Sequence, residues 1–225
     1  MSNLRTPAVI VNFKTYREVD GASSLEISRI CERISVETGA SICICPPMVE
    51  LSRVANEIEI PVLSQHVDPF DPGSHTGWTT PSLVRSAGAV GSLINHSEHQ
   101  MNDEDISRAT SLCRENDLIT IVCADTAMTA KRLAPLSPDF IAVEPPELIG
   151  GDISVTSAKP EVVSDSVEAV HSIDGGVKVL CGAGVKNGED VRKAIDLGAE
   201  GVLLASGVVK SSSVESSLMD LIRFI

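Results

Sequence analysis

Three short segments of this chain carry side chains suited to moving a proton: Asn12-Phe13-Lys14, Asn95-His96-Ser97-Glu98 and Val143-Glu144-Pro145. Taking a proton from a carbon beside a carbonyl requires a base, an electrophile for the oxygen where charge develops, and a counter-charge. Glu144, His96 and Lys14 supply a carboxylate, an imidazole and an ammonium. Each alone says little. A lysine after a strand is most often a solvated loop residue, and a histidine there can simply cap or pack. A glutamate ahead of two prolines can be an extended turn residue, because proline disfavours helix in the residue before it. Two further segments, Cys181-Gly182-Ala183-Gly184-Val185 and Ala205-Ser206-Gly207, are built of small residues. Small residues let backbone N–H groups approach an anion closely.

These segments gain meaning from the elements that carry them. Short β-branched runs alternate with stretches of helical period, and eight such units follow one another. Strand runs are expected at Ala8 to Val11, Ser41 to Cys45, Pro61 to Gln65, Val90 to Asn95, Leu118 to Cys123, Phe140 to Val143, Val177 to Cys181 and Gly201 to Ala205. Helical patterns follow from Ser23 to Thr38, Met48 to Glu57, near Pro81, Asp103 to Asn116, Thr126 to Ala134, Lys159 to His171, Gly188 to Leu197 and Ser213 to Ile222. A long loop, from His66 to Thr80, separates the third strand from its helix. Alternation of this kind argues for a parallel sheet with helices outside. Eight units in 225 residues favour a closed (β/α)8 barrel over an open sheet, with residues 1–225 as a single domain. In such a barrel the active site lies at the carboxyl ends of the strands. All five segments sit there, and the turns after strands seven and eight are where such barrels hold phosphate.

Composition limits the partners. The formal net charge is −13, so neither a nucleic-acid surface nor an anionic membrane is expected as a partner. An anionic substrate then needs a locally positive site, with backbone amides and Lys14 as the main full positive charge. Aromatic residues make up 3% of the chain, so the core must be aliphatic, as in buried parallel strands. Six cysteines lie at 31, 43, 45, 113, 123 and 181, none in a C-x-x-C pair and several in apolar runs. They read as reduced, buried, small hydrophobic side chains of a cytoplasmic protein. No signal peptide or membrane span is visible.

In this order and at these strand ends, Asn12-Phe13-Lys14, His96-Ser97-Glu98 and Val143-Glu144-Pro145 resemble the triosephosphate isomerase family in its short archaeal form. Gln65, Gly73-Ser74-His75-Thr76-Gly77 and Gly150-Gly151 match the same pattern, and the resemblance runs from Val9 to about Lys210. It implies interconversion of D-glyceraldehyde 3-phosphate and dihydroxyacetone phosphate through an enediolate, in glycolysis and gluconeogenesis, with no cofactor and no metal. Glu144 would be the base, His96 the electrophile, and Lys14 the stabiliser of enediolate and phosphate charge. Asn12 would orient the substrate, and Glu98 would brace the site from behind. Ile149 and Gly150 would close over the phosphate as part of a lid, while Gly184, Ala205 and Ser206 would donate backbone N–H groups to it. This family is itself the standard instance of a glutamate base paired with a neutral histidine beneath a closing loop. Ser97 can cap a short turn beginning near His96, whose dipole would disfavour a charged imidazole.

The chain departs from the family's usual pattern at Cys181 and Gly184, where a tyrosine and a serine ordinarily stand after strand seven. Glu147 replaces a tryptophan and His99 an arginine. The loop around Thr76 resembles the family's protruding contact loop, and Trp78 beside it reads as an interface anchor. A homo-oligomer is therefore expected, a dimer at least, with a tetramer possible. Two other readings compete. A metal-dependent aldolase or epimerase on the same barrel would use His66, His75, His96 and His99, of which the last two are three apart. Lys14 would repel such a metal. A barrel that binds sugar phosphates without catalysis is the other reading, since fold alone does not prove function.

Overall fold

The computed structural model describes residues 4–145 and 160–225. Its eight strands are all parallel: β1 (Ala8–Asn12), β2 (Ser41–Cys45), β3 (Leu63–Ser64), β4 (Gly91–Ile94), β5 (Ile119–Ala124), β6 (Phe140–Val143), β7 (Lys178–Cys181) and β8 (Gly201–Leu204). They pair in the order β2-β1-β8-β7-β6-β5-β4-β3. The two ends of this order meet, because Ile44 bridges Val62 in parallel and its N–H donates to the Pro61 carbonyl at 3.1 Å. The sheet thus closes into a (β/α)8 barrel whose β2–β3 seam, like the β7–β8 joint with its one pair of Cys181 and Val202, is narrower than the four- and five-residue pairings of β1, β4, β5 and β6.

The helices are α1 (Ala22–Thr38), α2 (Leu51–Glu57), α3 (Pro81–Ser86), α4 (Asp103–Glu115), α5 (Ala127–Leu133), α6 (Pro160–His171), α7 (Gly188–Asp196), α8 (Ser206–Val209) and α9 (Val214–Ile222). Their starts follow from local chemistry. The side chains of Thr80, Asn102, Thr126, Asn187 and Ser213 each accept a hydrogen bond from the N–H three residues on, satisfying an otherwise orphaned helix donor. Two elements differ from expectation. The third strand was expected over Pro61 to Gln65, yet only Leu63–Ser64 is strand. Pro61 has no N–H to give to a ladder, and the Ser64 hydroxyl donates to the His66 carbonyl, turning the chain out of the sheet. The short α8 lies between β8 and α9 and belongs to neither expected element.

Strand alternation divides the core in two. Ala8, Ile10, Cys43, Cys45, Leu93, Ile121, Cys123, Phe140, Ala142, Leu180 and Leu203 fill the barrel. Their neighbours along each strand, among them Val9, Val11, Ile42, Ile44, Val122, Ile141, Val179 and Val202, face the helices. Successive side chains on a strand point to opposite faces, so both faces of these strands are apolar, as parallel sheets require. All six cysteines are buried and unpaired. Burial pushes the Cys31 and Cys181 thiols up to about 12, which keeps both in the unreactive protonated form.

Candidate active site

The end of β1 positions the first group. Asn12 faces the barrel mouth in phase with Ala8 and Ile10, and the Phe13 N–H donates to the Cys45 carbonyl at 3.0 Å. Lys14 then adopts φ 49°, a left-handed backbone that a branched or long side chain rarely takes. Three hydrogen bonds hold it there. The Lys14 N–H donates to Asn12 Oδ1 at 2.9 Å, and Gln65 Nε2 donates to the carbonyls of Lys14 and Cys45, both at 2.9 Å. The conformation is over-determined by its surroundings, as strained backbone at functional sites must be. Lys14 Nζ reaches Glu98 Oε1 at 2.8 Å.

The end of β4 positions the second. Asn95 is also left-handed, at φ 61°, with its amide donating to the Cys123 carbonyl and accepting from the Met101 N–H. That breaks the strand's alternation and swings His96 into the mouth. His96 Nδ1 accepts the Glu98 N–H at 3.1 Å. A ring nitrogen that accepts carries the lone pair, so in neutral imidazole the proton sits on Nε2, the nitrogen facing the cavity. The expected serine cap is not what orders this turn: the Ser97 hydroxyl oxygen is buried without a hydrogen-bond partner among the described residues. The imidazole itself performs the capping. Glu98 does not stand behind the site; it is 58% exposed at the mouth and pairs with Lys14.

The end of β6 positions the third. Glu144 continues the inward phase of Phe140 and Ala142. Its N–H donates to the Ala124 carbonyl at 2.7 Å, and its side chain is 4% exposed. One oxygen, Oε1, lies 3.3 Å from His96 Nε2. On the adjoining strand Val143 pairs with Cys181, which sets Gly182 beside Glu144. A Cβ on Gly182 would sit 2.6 Å from Glu144 Cγ, so the carboxylate stem occupies the space that a side chain there would need. Below, the buried Cys123 thiol is pushed well above its ordinary range, first by burial and then by the Glu144 carboxylate.

These groups line one side of a cavity of about 540 Å³, whose opposite side is formed by residues 182–186 after β7 and 203–207 at the end of β8. Asn12, Lys14, His96, Glu98, Glu144, Gly184, Ala205 and Ser206 all border it. Gly184 has φ 68°, and Ala205 is the N-cap of α8. The first-turn N–H groups of a helix have no acceptor within it, so this corner offers donors to an anion. Two bordering residues were not singled out in the sequence. Lys186 adds a second ammonium to the cavity rim, so Lys14 is not the only cation there. Tyr16, the chain's one tyrosine, forms part of the wall with Lys210 Nζ 4.1 Å from its ring centre. Neither stands in a recognisable motif; only closure of the barrel brings position 16 next to the turn after β8. Ile149 and Gly150, expected over the phosphate, lie outside the described residues.

The remaining histidines are engaged elsewhere. His66 stacks on His99 with ring centres 3.8 Å apart and reaches Asp68 at 3.1 Å, and burial lowers its pKa. His75 stacks on Phe70. Among the described residues no three or more His, Cys, Asp or Glu side chains converge to hold a metal. The loop around Thr76 is ordered by its own contacts. Thr79 and Asp68 exchange two hydrogen bonds, Phe70 meets Trp78 edge-on, and Trp78 stays 50% exposed. No described helix is long and apolar enough to cross a membrane.

The chain is similar to known proteins over nearly its whole length. A family model described as triosephosphate isomerase matches residues 7–225. The chain is 49% identical over 216 residues to a triosephosphate isomerase of Methanothermus fervidus, covering 96% of this chain and 97% of that one. It is 50% identical over 217 residues to a triosephosphate isomerase of Methanocaldococcus jannaschii, covering 96% and 99%. Among solved structures, the triosephosphate isomerase of Bartonella henselae superposes with a TM-score of 0.72 over 91% of this chain and 94% of that one, at 20% identity.

Proposed function

Because the chain belongs to the triosephosphate isomerase family, we propose that it interconverts D-glyceraldehyde 3-phosphate and dihydroxyacetone phosphate with Glu144 as base, His96 as electrophile and Lys14 as counter-charge. The observation that carries the residue roles is the 3.3 Å approach of His96 Nε2 to Glu144 Oε1 across the cavity from the amide-lined turns after β7 and β8. Glu144 takes the proton from the carbon beside the carbonyl. The electron pair left behind moves into the C=C of an enediol and negative charge develops on the carbonyl oxygen. His96 Nε2–H donates to that oxygen, and the tautomer set by the Glu98 N–H keeps a proton there to give. The Lys14 ammonium offsets the charge of enediolate and phosphate. His96 gives a proton to the former carbonyl oxygen and takes one from the neighbouring hydroxyl, which becomes the new carbonyl. Glu144 returns its proton to the former carbonyl carbon, so atoms and charge balance.

Asn12 orients the substrate, by way of the same side chain that fixes Lys14. The phosphate rests on the backbone N–H groups of Gly184, Ala205 and Ser206, with Ile149 and Gly150 closing over it. The reading extends to a role in glycolysis and gluconeogenesis in the cytoplasm, to residues 1–225 as one barrel domain, and to a homo-oligomer joined through the loop around Thr76. The half-exposed Trp78 in that loop, edge-on to Phe70, supports the last point, and light scattering on a sizing column tests it. The decisive test is kinetic. Purified protein should isomerise glyceraldehyde 3-phosphate without an added cofactor, and Glu144→Gln should lower kcat about 10³-fold, the scale of lost general-base catalysis. Equal activity in Glu144→Gln would end the proposed mechanism.

A further inference from the structure

The charges that border the substrate cavity divide unevenly between its two sides. Among the described residues, Lys14, Glu98 and Glu144 stand on the side-chain side, and Lys186 stands with residues 182–185 and 203–207 on the amide side. Lys14 Nζ lies 2.8 Å from Glu98 Oε1, so that ammonium is already balanced by a carboxylate before any ligand arrives. Without Lys186 the described bordering groups would set two carboxylates against one ammonium. That is an unfavourable setting for a phosphate dianion in a chain of net charge −13. A third lysine, Lys210, does not border the cavity; its Nζ lies 4.1 Å from the centre of the Tyr16 ring.

The turn that carries Lys186 fixes what that residue can bring to a ligand. Its N–H donates to Asp190 Oδ2 at 3.0 Å, and the Asp190 N–H donates to Asn187 Oδ1 at 3.0 Å, a reciprocal pair that caps the start of α7. The Lys186 N–H is therefore engaged inside the turn, and the residue's means of meeting an anion is its ammonium, a donor of three hydrogen bonds. Asp190 is 4% exposed. Burial raises the Cys181 thiol first, and the Asp190 charge raises it further, so that negative charge is felt behind the same turn. An ammonium at the rim offsets it for an incoming anion.

We propose that the Lys186 ammonium binds the phosphate of the substrate from the amide side, while Lys14 acts from the opposite side. The inference rests on the isomerase reading for where the phosphate sits. Because this ammonium meets a group remote from the reacting carbons, its effect falls on every ligand that carries a phosphate and on none that lacks one.

The experiment compares wild type, Lys186→Met and Lys186→Arg. In calorimetric titration with inorganic phosphate, Lys186→Met should bind about tenfold more weakly than wild type, the scale of a lost hydrogen bond to a charged group. Lys186→Arg, which restores a cation at the same place, should stay within about threefold of wild type. Phosphate affinity should also depend less steeply on salt in Lys186→Met than in wild type. In steady-state kinetics, kcat/KM for glyceraldehyde 3-phosphate should fall about tenfold in Lys186→Met, while that for D-glyceraldehyde, which has no phosphate, should fall less than about twofold. Wild-type phosphate affinity in Lys186→Met overturns the proposal. So does an equal loss on both aldehydes, which would mark a distorted turn and not a missing charge. A wild type that binds phosphate but does not isomerise overturns instead the isomerase reading, and calorimetry still decides the part of Lys186, so the two failures are distinct.

Discussion

The two sides of the substrate cavity are made of different material. On one side stand charged or ionisable side chains, each held by another group. Lys14 is held by Asn12, Gln65 and Glu98, His96 by the Glu98 backbone, and Glu144 by the walls around its stem. On the other side, residues 182–184 and 205–207 offer almost no side chain, and their use to a ligand lies in backbone N–H groups and in the room to reach them. The first side commits its chemistry to residue type. The second commits it to residue volume and backbone path. Binding an anion by amides also spares an acidic chain, net −13, from assembling a basic surface.

Substitutions can break that contrast or sharpen it. The largest effect should come from Glu144→Gln, where the kcat loss of about 10³-fold should leave the affinity for a phosphate-bearing substrate analogue within about twofold, because the amide corner is untouched. Calorimetric titration checks this, and a parallel collapse of analogue affinity would mean that the two sides are not separable. Gly182→Ala comes next. Its Cβ would press on Glu144 Cγ, and displacing a catalytic group by about 1 Å costs roughly 10²-fold in rate. A volume change on the backbone side would thus be felt on the side-chain side, and wild-type kcat in this variant would show that Glu144 has slack. Lys14→Ala should raise KM and lower kcat, each about tenfold, the scale of a lost hydrogen bond to a charged group; steady-state kinetics that leave both unchanged would remove Lys14 from the site. The smallest effect belongs to Asn187→Ala, which removes the cap bond to the Asp190 N–H at 3.0 Å. It should cost about 1 kcal/mol and lower Tm by about 2–4 °C in a thermal melt, with kcat unaltered.

The same contrast explains what could be read from sequence. The eight-unit alternation, and with it the barrel, follows from strand and helix periodicity, because both core layers are written into alternate positions of each strand. Lys14, His96 and Glu144 were legible only together, as a cation, an imidazole and a carboxylate at the same end of one barrel, since each type alone is ordinary after a strand. The bonds that hold them were not legible. No periodicity announces that Asn95 turns left-handed, that the imidazole caps its own turn while Ser97 does not, or that Gln65 reaches back to Lys14. Tyr16 and Lys186 escaped for a related reason. They come to the cavity through loop paths, and a loop path is set by contacts between distant segments. The short third strand was overestimated because an apolar run says nothing about whether each residue can donate to a ladder, and Pro61 cannot.

Gln65 has one more consequence. It stands one residue beyond the strand that closes the barrel with a single bridge, and its amide donates across that seam to Cys45 and on to Lys14. One side-chain amide therefore stands in for a missing row of backbone bonds. The strands from β1 through β8 to β4 carry every proposed catalytic group, and within that run the β7–β8 joint, with Cys181 and Val202 its one pair, is the other narrow place. Fluctuations of the barrel should therefore gather at its narrow joints, of which the β2–β3 seam is the one bonded directly to Lys14. The Ile44 amide should exchange with solvent through local opening, at a free energy well below that of global unfolding, while the amides of β5 and β6, paired along four residues on both sides, wait for the whole barrel to come apart. In a hydrogen-exchange experiment Gln65→Ala should widen that gap, and the first part of the site to sense it should be the strained turn at Lys14.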